Sequence, residues 1–134
     1  MFVLDTNTVS KWLKAPTPTL LGHFSKVARV DLSVPSIVEG ELRYGLLKRG
    51  IEKTRFGILV DTFLKSVTVL PWTSATAECF AKLRTDSEAH GVTVDTVDLM
   101  IATHAKEEKL TLVTNDGALL LLRPWIKVVD WTQE

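Results

Sequence analysis

The sequence of 134 residues contains a single cysteine, Cys79. No internal disulfide can form, and a reducing compartment is expected. It has no excess of either charge, since 16 Lys and Arg balance 16 Asp and Glu. Bulk charge therefore draws the chain to neither nucleic acid nor membrane, and any nucleic-acid contact has to come from a local basic patch or a metal. Long apolar runs are missing too. The longest cluster, Ala118 to Leu122, is far too short to span a bilayer. No basic segment followed by a long apolar stretch reads as a secretory signal, so a cytoplasmic protein without membrane contact is expected. There is no glycine-rich phosphate loop, because Gly40 and Gly45 fall inside a helical pattern. His23, His90 and His104 share no metal-ligand spacing, and no Ser-His-Asp or Cys-His arrangement is suggested.

What is present suits a compact core. Hydrophobic residues make up 46% of the chain, and the length fits one domain spanning residues 1–134. Apolar strand patterns end at Leu4, cover Val30 to Pro35, Val67 to Leu70 and Leu110 to Val113, and close with Ile126 to Val129. Helical patterns lie between them: Thr8 to Lys14, Thr17 to Arg29, Ser36 (as N-cap) to about Lys48, Glu52 to Leu64, Ser74 to His90, Thr96 to Glu108 and the short Ala118 to Leu122. Strands that are apolar on both faces and alternate with helices predict an α/β fold: a parallel sheet of about four to five strands, covered by helices on both sides.

Ligands of open α/β sheets bind at the carboxyl ends of the strands. Asp5 ends the first strand pattern, and Asp116 follows the fourth across Thr114 and Asn115. Glu41 has Ile37, Val38, Leu42 and Gly45 as helical neighbours, a face on which an unpaired charge is costly. Glu39 is expected to point elsewhere, into solvent. Asp98 opens an otherwise apolar helix, and Asp95 three residues earlier reads as its cap or as an outer acid. Each acid has an ordinary structural use: Asp5 and Asp95 as helix caps, Asp98 beside a positive helix terminus, Asp116 as a turn residue in Asn-Asp-Gly. Together they form a set of oxygen ligands of the kind Mg²⁺ takes.

These pieces resemble the PIN-domain family, and within it the VapC-type toxins of bacterial toxin–antitoxin pairs. The resemblance is carried by Leu4-Asp5-Thr6-Asn7, Glu41-Leu42-Arg43-Tyr44-Gly45, Asp98-Leu99-Met100-Ile101-Ala102-Thr103-His104-Ala105, Leu112-Val113-Thr114-Asn115-Asp116 and the closing Val128-Val129-Asp130-Trp131. It covers nearly the whole chain, in order. The chain departs from the family at Asp95, where glycine is frequent, and at Gly117 to Leu120, which lack an aromatic residue often found there.

The resemblance implies a metal-dependent endoribonuclease. Asp5, Glu41, Asp98 and Asp116 would be the catalytic, Mg²⁺- or Mn²⁺-binding acids, with Asn7 and Thr114 in support. Lys11, Arg43 and Lys48 lie near the acidic segments and are candidates to hold RNA. The resemblance also implies a cognate small antitoxin and a homodimer, assembling with antitoxin into a heterotetramer or larger. Trp12 and Phe56, on the first and fourth helical patterns, would line a groove for the antitoxin's helix. The competing reading is a non-catalytic interaction module whose acidic pocket receives a basic partner segment. A phosphatase acting through Asp5 is disfavoured, because Asn7 stands where that chemistry wants a second acid.

Overall fold

Five short parallel strands carry the architecture: β1 (Phe2–Leu4), β2 (Leu32–Pro35), β3 (Thr68–Leu70), β4 (Thr111–Val113) and β5 (Lys127–Val129). The computed structural model describes all 134 residues and arranges the strands in the order β3-β2-β1-β4-β5. The helices are α1 (Thr6–Lys14), α2 (Pro18–Ser25), α3 (Ser36–Arg49), α4 (Arg55–Ser66), α5 (Ser74–Ala89), α6 (Thr96–Glu108) and the single turn α7 (Gly117–Leu120), with a 3₁₀ turn at Arg29–Asp31. None is long and apolar enough to cross a membrane.

The strand order fixes where a site can form. From β1 the chain steps outward to β2 and β3, then returns across the sheet to β4 and β5. Strand direction reverses its lateral course between β1 and β4, so their carboxyl ends flank the crevice where such sheets bind ligands. Right-handed crossovers place α1–α4 on one face and α5–α7 on the other. Helix packing follows this division, with α1 against α3 and α4, α5 against α6, and α6 against α7; α3 and α6 also meet.

The core is continuous and centres on the inner strands. Val3, Leu4, Val34, Leu112 and Val113 have no exposed surface. On the α2 side an aromatic cluster completes it. Trp12 stacks on Phe24 with centroids 3.9 Å apart, and Phe24 meets Trp131 edge to face at 4.9 Å. The Arg29 guanidinium lies 4.8 Å from the Trp12 ring centre, closing the cluster toward solvent.

Element order and type agree with the sequence patterns, and the differences lie at element ends. The Thr17 to Arg29 pattern divides into α2 and the 3₁₀ turn, and Thr17 caps α2 with Pro18 in its first turn. Ser36 is the first helical residue of α3 rather than its cap; Pro35 holds the cap position, with no side-chain bond. Helix α4 starts later than Glu52, because the Thr54 hydroxyl caps it by accepting from the Gly57 amide. Gly50 and Gly91 end α3 and α5 at φ +63° and +80°, where a side chain would be strained.

Candidate active site at the carboxyl edge of the sheet

Asp5 leaves β1 at the crevice and is 4% exposed. A carboxylate so buried needs partners, and it has two. One oxygen caps α1 by accepting from the Thr8 amide at 2.9 Å. The other accepts from the Thr114 hydroxyl, just past β4. Thr114 is itself buried, and its backbone amide donates to Val129 on β5. The Thr8 hydroxyl donates to the Val113 carbonyl at 3.2 Å, tying α1 to β4. Asp5 is thus held from both sides of the crevice, and two of its roughly four acceptor positions remain free.

Asp116 is placed by the same threonine. Its amide donates to the Thr114 hydroxyl oxygen at 3.0 Å. One of its carboxylate oxygens caps α7, accepting from Ala118 at 2.8 Å and Leu119 at 3.4 Å. The turn role and a place at the strand end therefore coincide in one residue.

Asp98 lies half-buried in the first turn of α6. A helix N-terminus favours a charged carboxylate, yet its pKa is pushed up to about 6. Burial is the largest cause, followed by the negative charges of Asp116, Asp95, Asp5 and Glu41. Desolvation and like charge outweigh the helix dipole here. Five carboxylates, from β1, α3, the α6 entry and the β4 exit, thus bear on one point.

Three residues differ from their expected settings. Glu41 is exposed rather than enclosed by an apolar face; Leu42 and Leu46 turn inward beside it, and its partner is the Thr6 hydroxyl of α1. Asp95 holds the cap position of α6, but its side chain makes no capping bond. Glu39 is no free solvated charge: it pairs with Arg43 at 2.9 Å. Arg43 also pairs with Asp61 at 3.2 Å, which ties α3 to α4 and leaves the guanidinium engaged on the side of α3 away from Glu41.

The remaining candidates separate in the same way. Lys11 and Lys48 are exposed, and Lys48 lies two turns along α3 from Glu41, on the same face. Asn7 is exposed and bonds to none of the acids, whereas its neighbours Thr6 and Thr8 do the positioning. Only one signal in the sequence pointed to Thr8, its place three residues after an Asp cap. Trp12 belongs to the aromatic core, not to a groove. Phe56 does line a pocket of about 110 Å³ between α1, α3 and α4, which opens beside Thr6 and Glu41 and has Arg49 on its wall.

The donor chemistry suits a hard divalent cation, since every candidate ligand is a carboxylate oxygen. No three acidic or histidine side chains are drawn together into a finished cage. Mg²⁺ is compatible with that spacing, because it usually keeps several waters and takes only one or two carboxylates directly. The mutual repulsion registered at Asp98 is what such a cation would relieve.

The sequence of residues 2–122 matches the PIN domain. The chain is 30% identical over 115 residues to Ribonuclease VapC2 of Haemophilus influenzae, covering 86% of each. It is 29% identical over 140 residues to Toxin FitB of Neisseria gonorrhoeae, covering 93% of this chain and 99% of that one. Among solved structures it resembles DNA-bound VapBC from Salmonella typhimurium, with a TM-score of 0.83, 29% identity and 97% of each chain covered.

Proposed function

This chain belongs to the PIN-domain family, and from that premise we propose that it is a divalent-metal-dependent endoribonuclease, acting as the toxin of a toxin–antitoxin pair. The observation that carries the proposal is the Asp98 carboxyl, raised by burial and by four neighbouring acids. A structural helix cap has no need of four like charges. The names of the similar proteins, a ribonuclease and a toxin, support the reading.

Asp5, Glu41, Asp98 and Asp116 would hold Mg²⁺ or Mn²⁺, directly or through water. When bound, the ion supplies charge neutralisation at the phosphodiester and an acidified water at neutral pH. The chain's own residues set the geometry. Thr114 and the Thr8 amide fix both oxygens of Asp5, so this ligand does not rotate when a cation arrives. Thr6 orients Glu41 from across the crevice. Burial and neighbouring negative charge raise the Asp98 pKa, and a bound cation would favour its ionised form. No histidine base is required.

The partner would be an antitoxin segment in the pocket between α1, α3 and α4, whose mouth is Thr6 and Glu41. A basic side chain entering there reaches the acids and competes with the metal. Inhibition and metal loss are then the same event. The assembly would be a homodimer carrying antitoxin, in the cytoplasm.

The test uses purified chain freed of any partner, incubated with RNA and Mn²⁺ or Mg²⁺. Cleavage should require the ion and disappear in Asp5→Asn and Asp98→Asn. Equal cleavage in excess EDTA would rule the metal mechanism out.

A further inference from the structure

The opposite, amino edge of the sheet carries a feature that the acidic site does not use. Helix α6 ends there in Lys106 and in Lys109, whose φ is +55°. The start of β5 brings Lys127 to the same place, and the half-buried Trp125 precedes it. These four border a cavity of about 390 Å³ that no acidic side chain lines. All three lysines are exposed, and none makes an ion pair. In a chain of zero net charge this is a local concentration of unneutralised positive charge.

A helix-capping role accounts for part of it. Lysine in a last helical turn favours the negative end of the dipole, which amounts to roughly half a charge. That accounts for Lys106 and the C-cap Lys109, but not for Lys127. Lys127 comes from another element, and three full charges exceed what the dipole attracts.

A second cavity, of about 290 Å³, adjoins the first and shares Lys106 and Trp125 with it. Its walls include Leu83 and also Glu78 and Asp86, both hydrogen-bond acceptors, with Lys82 as a donor. One lobe therefore sets three lysines, with no acid, among apolar residues, and the other sets Glu78 and Asp86 against Lys82 and Lys106 beside apolar surface. An indole lies between them. A nucleotide has these parts in this order: a phosphate, then a base that stacks and presents hydrogen-bonding edges.

We propose that these adjoining cavities form a second RNA contact, with Lys106, Lys109 and Lys127 holding a backbone phosphate and Trp125 and the α5 lobe receiving a base. That the polymer is RNA rests on the ribonuclease reading above. Asp98 and Lys109 are the two ends of α6, roughly 16 Å apart along its axis. A few nucleotides span that distance, so one strand can occupy both edges. The contact would grip flanking RNA and act on affinity, leaving the chemistry at the carboxyl edge unchanged.

The experiment is fluorescence anisotropy of a labelled single-stranded RNA of about 12 nucleotides, within the usual site size of such grooves. Binding is read in EDTA, with the RNA shown intact on a gel. The variant is Lys106→Gln/Lys127→Gln, which leaves the left-handed Lys109 in place; Trp125→Phe is the second variant, and melting curves report folding. The lysine pair should weaken binding on the order of 10-fold at low salt and reduce the salt slope by about 1.4, the loss of two single-strand phosphate contacts. Trp125→Phe should weaken binding without changing that slope. An unchanged affinity and slope in the lysine pair overturns the proposal. So does an equal loss in the control pair Lys14→Gln/Lys26→Gln, which would make the effect one of bulk charge. Displacement by free nucleoside monophosphates at the same nucleotide concentration would reassign the cavities to a small ligand, and displacement by polyglutamate at the same charge would reassign them to an acidic protein segment. A chain that binds but never cuts refutes the nuclease and not this contact.

Discussion

The two edges of one sheet treat charge in opposite ways. At the carboxyl edge, burial and the converging acids from four parts of the chain raise the Asp98 pKa. At the amino edge, three lysines spread over an open cavity. Helix α6 links the edges, with Asp98 in its first turn and Lys106 in its last. Asp5 is buried, Asp98 and Asp116 are half-buried, and threonines hold Asp5, Glu41 and the Asp116 amide; the lysines are exposed and unanchored. Anchored, crowded charge is expensive and keeps its geometry, which suits a reacting centre. Loose charge in water costs little and adapts, which suits an electrostatic grip on a flexible polymer.

The largest effect expected from breaking this contrast is catalytic. Asp5→Asn and Asp98→Asn should each lower metal-dependent RNA cleavage by more than about 100-fold, beyond what loss of a supporting group costs. Circular dichroism should report an intact fold. On a di- or trinucleotide substrate too short to reach the amino edge, Lys106→Gln/Lys127→Gln should cleave at the wild-type rate. A large rate loss there would erase the division of labour between the edges.

Thr114→Val comes next. The substitution preserves volume and removes the hydroxyl shared by Asp5 and the Asp116 amide. Cleavage should fall by roughly 10- to 100-fold, the usual penalty for losing an outer support of a metal site. The required Mn²⁺ concentration should rise as well, measured by titrating activity. A Thr114→Ser variant, which keeps the hydroxyl, should recover most of both. Failure of serine to rescue would mean that Thr114 matters through packing alone.

How much of this was readable from residues alone depends on how far each interaction reaches along the chain. Strand ends are local, so Asp5 and Asp116 stood out from an apolar run followed by polar turn residues. The α6 boundaries, Thr96 to Glu108, were likewise set by nearby residues. Thr6 was not singled out, because its partner Glu41 is 35 residues away. Arg43, a candidate RNA contact, pairs locally with Glu39, whereas its second partner Asp61 lies on another helix and leaves no local signal. Trp12 was assigned to a groove because its stacking partner Phe24 belongs to a helix blurred by Pro16, Pro18 and Gly22. The Glu41 face holds Ile37, Val38, Leu42 and Gly45 in the sequence pattern, but Val38 and Leu42 turn inward and leave the carboxylate exposed.

A smaller effect separates the edges thermodynamically. In metal-free protein the Asp98 charge opposes folding, so Asp98→Asn should raise the melting temperature at pH 7.5 by roughly 3–6 °C, discounting for the screening of a half-exposed group. Millimolar Mn²⁺ should stabilise wild type and do less for the variant. Neutralising charge at the amino edge should do nothing comparable: Lys106→Gln/Lys127→Gln should melt within about 2 °C of wild type. A wild-type melting point indifferent to Mn²⁺ would show that the crowded acids share no ion.

The smallest effect is a pH dependence hidden by cancellation within α6. His104 is buried, its Nε2 has no hydrogen-bond partner, and burial lowers its pKa from the usual 6.5. Its unfolded state binds a proton more readily than its folded state, so its contribution to stability is complete above pH 6.5 and is lost as pH falls below that value. Asp98 runs the other way. Its folded pKa of about 6 exceeds the ordinary 3.8, so its contribution is complete below pH 3.8 and is lost as pH rises through 6. Between pH 7 and 5 the two oppose each other, and the stability of metal-free wild type, measured by urea denaturation, should change less than that of either single variant. Asp98→Asn removes one arm: its stability should decline as pH falls from 7 to 5. His104→Gln removes the other: its stability should increase over the same interval. Parallel curves for the two variants would mean that neither group titrates as its surroundings require. The crowding at the carboxyl edge would then be relaxed in solution, and the contrast with the amino edge would lose its energetic basis.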